Sequence, residues 1–417
     1  MAATGREFFT ARTVAEALAE FRPSHRTATE AVTLEHAAGR VPAHDVIASA
    51  ALPGFDRSAV DGYAVRAQDT YGASDSVPAF IRVAGSVAMG APAGESVVAG
   101  AAISIPTGGA MPDGADAVVM VEYTQEAMAG TIEVVRPVAP GEGIVRAGED
   151  IAPGAVAVRA GAPLRAQDIA MLAALGISRV SVYARPVVSV LATGDELIAP
   201  GADLVAVGQV HDALSSSVGA LVREAGGRAR APKIVRDDPG ALHEALTVAL
   251  AGSDVVVICA GSSVGGRDQT AAAVAGVPET QIWCHGLAIK PGKPTLLAST
   301  GRGVPIIGLP GNPRSALVVF RLIGMPLVRR AGGWTAEVVG GSVWRRLSRQ
   351  VPSAAGRLDV VQVRLSGSGS GSGEEAEPIF GPSSLLSVLT AADGYVVVPE
   401  DLNGLSAGEP VEVFLYR

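Results

Sequence analysis

Hydrophobic residues change their period along this chain at two points, near Pro186 and near Trp334. Between them, short apolar runs alternate with amphipathic segments. The pattern predicts a strand over Val187 to Leu191, a helix over His211 to Ala225, a strand near Ile234, a helix over Ala241 to Leu250 and a strand over Asp254 to Ala260. Short strands around Ile282, Leu296 and Ile306 then precede a helix from Pro313 to Arg329. Strands alternating with helices of this length predict a parallel, doubly wound α/β sheet. Upstream, from Pro78 to Val145, runs rich in Val, Ile and Ala (Phe80 to Val83, Ala101 to Ile105, Ala117 to Val121, Thr131 to Val135) are closely punctuated by Gly and Pro, which predicts a small all-β module. Leu164 to Leu175 has helical spacing and stops at Gly176, and Val180 to Val182 reads as a strand. Thr13-Val14-Ala15-Glu16 reads as a capping box opening a helix that runs to Phe21 and ends before Pro23. Beyond Trp334 β patterning returns in Val360 to Leu365, Gly394 to Pro399 and Pro410 to Tyr416.

At 417 residues the chain exceeds what one core serves. The changes of period divide it into an α/β domain over 186–330, a β-rich domain over 52–145 and a C-terminal β domain over 331–417. An α+β connector is expected from 22–51 and 146–185, with the N-terminal helix (1–21) packed on the α/β domain. Ser366 to Gly373 alternates Ser and Gly, a composition with nothing to pack, and is expected to be a flexible connector. A mean hydropathy of +0.34 raises the question of a membrane. The most apolar stretch, Ala84 to Pro106, is broken by Gly85, Gly90, Pro92 and Glu95, and no run reaches the ~18 to 20 apolar residues that a bilayer requires. Met1 to Phe9 contains Arg6 and Glu7 and no apolar core of a signal peptide, so a cytoplasmic location is expected. Two cysteines, Cys259 and Cys284, exclude a disulfide framework and read as buried thiols. The net charge of -8 argues against nucleic acid or an anionic membrane as the partner. An anionic substrate would therefore need local cations.

Thr193-Gly194-Asp195-Glu196 follows an apolar strand, so its acids are expected at the carboxyl edge of the sheet, where ligands of doubly wound folds bind. Two adjacent carboxylates suit Mg²⁺, which takes one or two of them with waters and phosphate oxygens; a capped turn with a solvated Glu196 fits the same residues. Lys290-Pro291-Gly292-Lys293-Pro294 places two ammonium groups on one proline-stiffened turn, either an anion site or a solvated loop. It is not a Walker loop, because Pro294 stands where Ser or Thr would ligate the metal. Gly311-Asn312-Pro313 opens a helix with Asn312 as N-cap and Pro313 at the first turn, and free amides there favour an anion. Gly261-Ser262-Ser263-Val264-Gly265 follows a strand and is a second, weaker phosphate-loop candidate. Asp61, Glu149 and Asp150 lie in turn-like segments whose role the local sequence leaves open. His211 and His285 lack metal-ligand spacing and read as packing or hydrogen-bonding residues.

Four motifs occur in one order: Pro53-Gly-Phe-Asp-Arg-Ser-Ala-Val-Asp-Gly-Tyr-Ala-Val65, Thr193-Gly-Asp-Glu-Leu197, Lys290-Pro-Gly-Lys-Pro294 and Gly308-Leu-Pro-Gly-Asn-Pro313. Together they resemble the molybdopterin molybdenumtransferases, over nearly the whole chain. The resemblance implies conversion of adenylylated molybdopterin and molybdate to molybdenum cofactor with release of AMP, aided by a divalent cation, Mg²⁺. It implies a four-domain protomer: a doubly wound α/β domain of the molybdopterin-binding type, a small β domain, a connector and a C-terminal β domain. It also implies a homodimer whose active site is shared between the α/β domain of one subunit and the Asp-Gly-Tyr-Ala domain of the other. Matched by position, Asp61, Glu196, Asp237, Asp268, Lys290 and Lys293 would be catalytic. Thr107, Asp150, Thr193, Gly194, Gly261, Ser263, Gly265, Pro310, Gly311, Asn312 and Pro313 would hold the ligand, and Asp195 with Glu196 the metal.

This chain departs from that pattern at four places. Cys259-Ala260-Gly261-Ser262-Ser263-Val264-Gly265, ending in Asp268-Gln269, replaces a Ser-Gly-Gly-x-Ser-x-Gly loop ending in Asp-Tyr. Asp212-Ala213-Leu214 replaces Asp-Ser-Asn, Arg57 replaces Asn, and Gly286 replaces a lysine found in some members. These changes leave open a non-catalytic or altered-specificity scaffold that binds the pterin, in the manner of the C-terminal part of gephyrin. A molybdopterin adenylyltransferase is a third reading, though it would need neither the segment around Asp61 nor the C-terminal β domain.

Overall fold

The computed structural model describes residues 11–203, 206–260, 264–335, 341–366 and 375–416, with backbone alone for 264–268. The α/β unit is built on a sheet whose strands run side by side in the order Arg228–Ala229, Val187–Thr193, Val255–Ala260, Pro305–Pro310, Leu296–Ser299 and Gln281–His285, with Lys233–Val235 also paired to Val187–Thr193. Val255–Ala260 is buried at every position, as a strand covered on both faces must be. On one face Leu214–Glu224 and Pro313–Val319 pack with Val188, Val190, Val255 and Val257. On the other, Leu242, Leu246 and Leu250 of Pro239–Ala251 pack with Leu191, Val256 and Ile258. The sheet is thus doubly wound but not wholly parallel. Leu296–Ser299 runs antiparallel to Pro305–Pro310, and Gln281–His285 antiparallel to Leu296–Ser299. Only five residues join Ser299 to Pro305, and a parallel crossover needs about a dozen.

The helix expected from His211 begins instead at Leu214. Val210–His211 pairs with Leu197–Ile198, and the buried Asp212 carboxylate accepts from the Ser215 amide at 3.0 Å. The helix opening at Pro313 runs to Ala331 but passes through a π-turn at Phe320–Gly324. Pro326 lacks an amide to donate and would strike the carbonyl four residues back, and the wider turn relieves both conflicts. The short helix Val14–Glu20 has its capping box intact, the Glu16 amide donating to Thr13 Oγ1 and the Thr13 amide to Glu16 Oε2. Its Val14 and Ala17, with Phe21, join the α/β core.

Residues 62–134 form a six-stranded sheet around Ile81, Val119 and Val134. Gly62–Val65 lies between Ala101–Ile105 and Ala117–Met120, and a Cβ on Gly62 would overlap the Val119 carbonyl. The two halves of the connector meet where Thr29–Thr33 pairs with Arg179–Tyr183 and Val46–Ile47 with Val156–Val158, over a core containing Leu164 and Leu172. In the C-terminal part, Leu358–Ser366, Glu375–Pro378, Ser342–Leu347, Pro410–Leu415 and Gly394–Val398 pair in a closed ring, a small barrel. Ile289–Lys290 of the α/β unit adds to that barrel, pairing in parallel with Leu358 and Asp359. The Ser-Gly run expected to be flexible lies outside the described residues from 367 to 374. Cys259 and Cys284 are buried free thiols; burial raises both pKa values, Cys284 to about 11.

Candidate active site

Three neighbouring parallel strands end in register. Ala192 lies opposite Cys259, and Ala260 opposite Pro310, so Thr193, Ala260 and Pro310 close one carboxyl edge. With strands about 5 Å apart, Thr193 and Pro310 stand about 10 Å from each other. The loops leaving these ends carry most of the residues singled out above.

At one end of the edge Thr193 is buried, while Asp195 and Glu196 are exposed. The Glu196 carboxylate folds back over Gly194, and Asp195 Oδ1 accepts from the Asp237 amide at 3.3 Å. This brings Asp195, Glu196 and Asp237 together. Partial burial and the charges of Glu196 and Asp195 hold the Asp237 carboxyl above the ordinary carboxylate range. Among the described residues no three His, Cys, Asp or Glu side chains converge as a metal cage. The donor set suits a hard cation that completes its shell with substrate and water oxygens, as Mg²⁺ does.

At the other end lies a cleft of about 600 Å³ between the α/β unit and the C-terminal barrel. Lys290, Lys293, Pro310 and Asn312 line it from the α/β side. The Leu287 and Thr295 amides both donate to the Lys293 carbonyl, at 2.9 Å each, and Thr295 Oγ1 donates to the Gly292 carbonyl at 2.7 Å. Gly292 has φ of 127°, and a Cβ there would overlap Val319, so only glycine lets the lysine turn lie against the helix. Asn312 stands at the N-cap and Pro313 in the first turn, but the Asn312 side chain makes no capping hydrogen bond. Gly311 precedes them in the same turn.

The cleft also contains residues that sequence reasoning missed: Arg314, and from the barrel Arg357 and Ser383. Arg314 directly follows the Gly-Asn-Pro turn and was within reach of a longer reading of that motif. Arg357 and Ser383 sit in a region with no local signature and enter only through the tertiary fold. Behind the cleft the buried Asp359 accepts from Arg357 Nε at 2.8 Å and pairs with Lys290 Nζ at 3.6 Å.

Asp61 and Thr107 meet in the small β domain, where Asp61 Oδ1 accepts from the Thr107 amide at 2.7 Å and from its hydroxyl at 3.1 Å. These bonds hold the Asp61 carboxyl below the usual range. Asp150 lies in a turn docked on the start of the same motif, its amide donating to the Leu52 carbonyl at 3.1 Å and that of Gly148 to Pro53 at 2.9 Å. Arg146 Nη1 donates to Asp56 Oδ2 at 2.7 Å beside it. Gly261 and Ser263 lie outside the described residues, as does the Asp268 side chain; Gly265 falls in the helix Val264–Ala275.

Comparison with known proteins places this geometry. Residues 12–176 match the MoeA N-terminal region (domain I and II), 189–330 the "Probable molybdopterin binding domain", and 345–416 the MoeA C-terminal region (domain IV). The chain is 33% identical to a molybdopterin molybdenumtransferase of Haemophilus influenzae over 394 residues, covering 93% of this chain and 94% of that one. It is 32% identical over 412 residues to molybdopterin molybdenumtransferase 2 of Mycobacterium tuberculosis, covering 97% of each. The crystal structure of the molybdopterin biosynthesis MoeA protein from Pyrococcus horikoshii superposes with a TM-score of 0.83 at 33% identity, covering 97% of this chain and 100% of that one. Among the described residues no helix is long and apolar enough to cross a membrane. The chain belongs to the molybdopterin molybdenumtransferase family, enzymes of molybdenum cofactor biosynthesis.

Proposed function

We propose that this protein inserts molybdate into adenylylated molybdopterin and releases AMP. The observation that carries this reading is the cleft in which Lys290, Lys293 and Arg357 gather positive charge on an otherwise acidic protein, at the same sheet edge as three crowded carboxylates. Molybdate and the phosphates of the pterin substrate are both anions, and cations carried on a turn held by backbone hydrogen bonds bind and orient them with little reorganisation of the chain. Asp195 and Glu196 are the residues that would hold Mg²⁺. When bound, it supplies positive charge to phosphate oxygens at that end of the edge. Partial burial, and then the charges of Glu196 and Asp195, raise the Asp237 carboxyl pKa beside them.

The exposed Asp61–Thr107 pair supports a homodimer in which the small β domain of a second subunit completes the site. Its two hydrogen bonds fix an ionised carboxylate on a surface that the described contacts of its own subunit leave open to solvent. The test is reconstitution: purified protein, adenylylated molybdopterin, molybdate and Mg²⁺, with AMP release followed over time. Turnover dependent on molybdate is expected. Tight binding of the pterin without AMP release would show instead a scaffold that has lost the reaction.

A further inference from the structure

The cations of the cleft are not equivalent. Lys290 and Arg357 share the one buried carboxylate of Asp359, which offsets part of their combined charge. Lys293 is exposed and keeps its hydration. Arg314 is half-buried, and among the described residues it has no carboxylate partner. Its Nη1 donates to the Gly381 carbonyl at 2.7 Å and its backbone amide to the Ser383 carbonyl at 3.2 Å, while Nε is buried without any hydrogen-bond partner. Burial accordingly lowers its pKa from the usual guanidinium value. A partly desolvated guanidinium with no acid is costly, and of its five donors the Gly381 carbonyl takes only one.

We propose that Arg314 is a receptor for a tetrahedral oxyanion, taking either free molybdate or a phosphate of the bound substrate beside Lys293. This rests on reading the cleft as the anion site. The geometry favours a receptor over a mere tether of the Gly381–Ser383 loop, because a neutral donor would serve a carbonyl equally well without the cost of an unpaired charge. An anion entering the cleft supplies the counter-charge that the protein withholds from Arg314 and gives to Lys290 and Arg357. The planar fork also matches the paired oxygens of a tetrahedral oxyanion, which an ammonium does not.

The experiment titrates inorganic molybdate, and separately AMP, into the full-length wild type, Arg314→Gln and Arg314→Lys by calorimetry at low and high salt. Arg314→Gln is expected to lose about tenfold in affinity for one of the two anions, with Arg314→Lys intermediate and the wild-type advantage shrinking as salt rises. Loss confined to molybdate assigns Arg314 to the metal oxyanion, and loss confined to AMP assigns it to the nucleotide phosphate. Melting of Arg314→Gln without ligand should match or exceed wild type, while the rise in melting temperature produced by the anion shrinks. Unchanged affinity for both anions in Arg314→Gln overturns the proposal. So does an equal loss in both variants accompanied by a lower ligand-free melting temperature, which would mark a tether. If Arg314→Gln does not fold, wild-type affinity in Arg314→Lys overturns it. Weakened anion binding in Arg314→Gln, alongside a wild type that releases no AMP, would leave Arg314 an oxyanion receptor and remove only the catalytic reading.

Discussion

At the acidic end of the sheet edge, one hydrogen bond of 3.3 Å joins the Asp237 amide to Asp195, and Glu196 lies beside them over Gly194. At the cationic end the lysine turn is closed by amides on the Lys293 carbonyl, the buried Thr295 hydroxyl and a carboxylate from another domain. The cationic end is therefore preorganised, whereas at the acidic end burial and the neighbouring charges of Glu196 and Asp195 raise the pKa of Asp237. The protein keeps its net charge of -8 and still presents positive charge to an anion, because it concentrates that charge where contacts across a domain boundary hold it in place.

Removing the preorganised end should give the largest effect. Lys290→Ala combined with Lys293→Ala is expected to lower the rate of AMP release by about two orders of magnitude, the scale for losing fixed charge stabilisation. Its melting temperature should stay near wild type, since both ammonium groups are exposed and Arg357 still pairs with Asp359. A large fall in melting temperature with normal turnover would show that the lysines serve the fold.

A smaller effect sharpens the comparison between subunits. Asp61→Asn and Lys290→Ala, each inactive alone, should recover up to about a quarter of wild-type turnover when mixed, because half of randomly exchanged dimers carry one intact site of two. No recovery despite verified exchange would put both residues in the site of one subunit.

The smallest effect lies in pH-dependent stability, and its sign separates two carboxylates. The folded-state pKa of Asp237 is raised, so protonation favours the native state. That contribution is full below the ordinary Asp pKa and is lost as pH rises through the raised value. Asp61 is lowered, so its contribution is present above the ordinary pKa and lost as pH falls through the lowered one. At neutral pH Asp237→Asn should therefore melt at or slightly above wild type, and Asp61→Asn slightly below. Thermal melts from acid to neutral pH check this, and shifts of the same sign would break the distinction.

Much of this was legible in the sequence because it is local. The capping box at Thr13, the alternation of strand and helix after Pro186 and the turns at Lys290 and Gly311 all follow from neighbours in the chain. The antiparallel sheet edge was missed although the short link from Ser299 to Pro305 dictates it, and the π-turn although Pro326 forces it. The short paired strands Thr29–Thr33 and Ser342–Leu347 carry no clear alternation and exist because of their partners. Asp359, Arg357 and Ser383 could not have been found by pattern, since they reach the cleft only through the docking of the barrel.

That docking also limits how the cleft can open. Ile289–Lys290 is a strand of the C-terminal barrel as much as a part of the α/β unit, and the Leu358 amide donates to the Ala288 carbonyl at 2.9 Å just ahead of it. A hinge that swung the barrel away would have to break a sheet and separate Lys290 from Asp359 in the same stroke. Traffic through the cleft must therefore pass by small rearrangements at its rim, where the Gly381–Ser383 loop and the Asn312 turn face each other, with the barrel as a fixed wall.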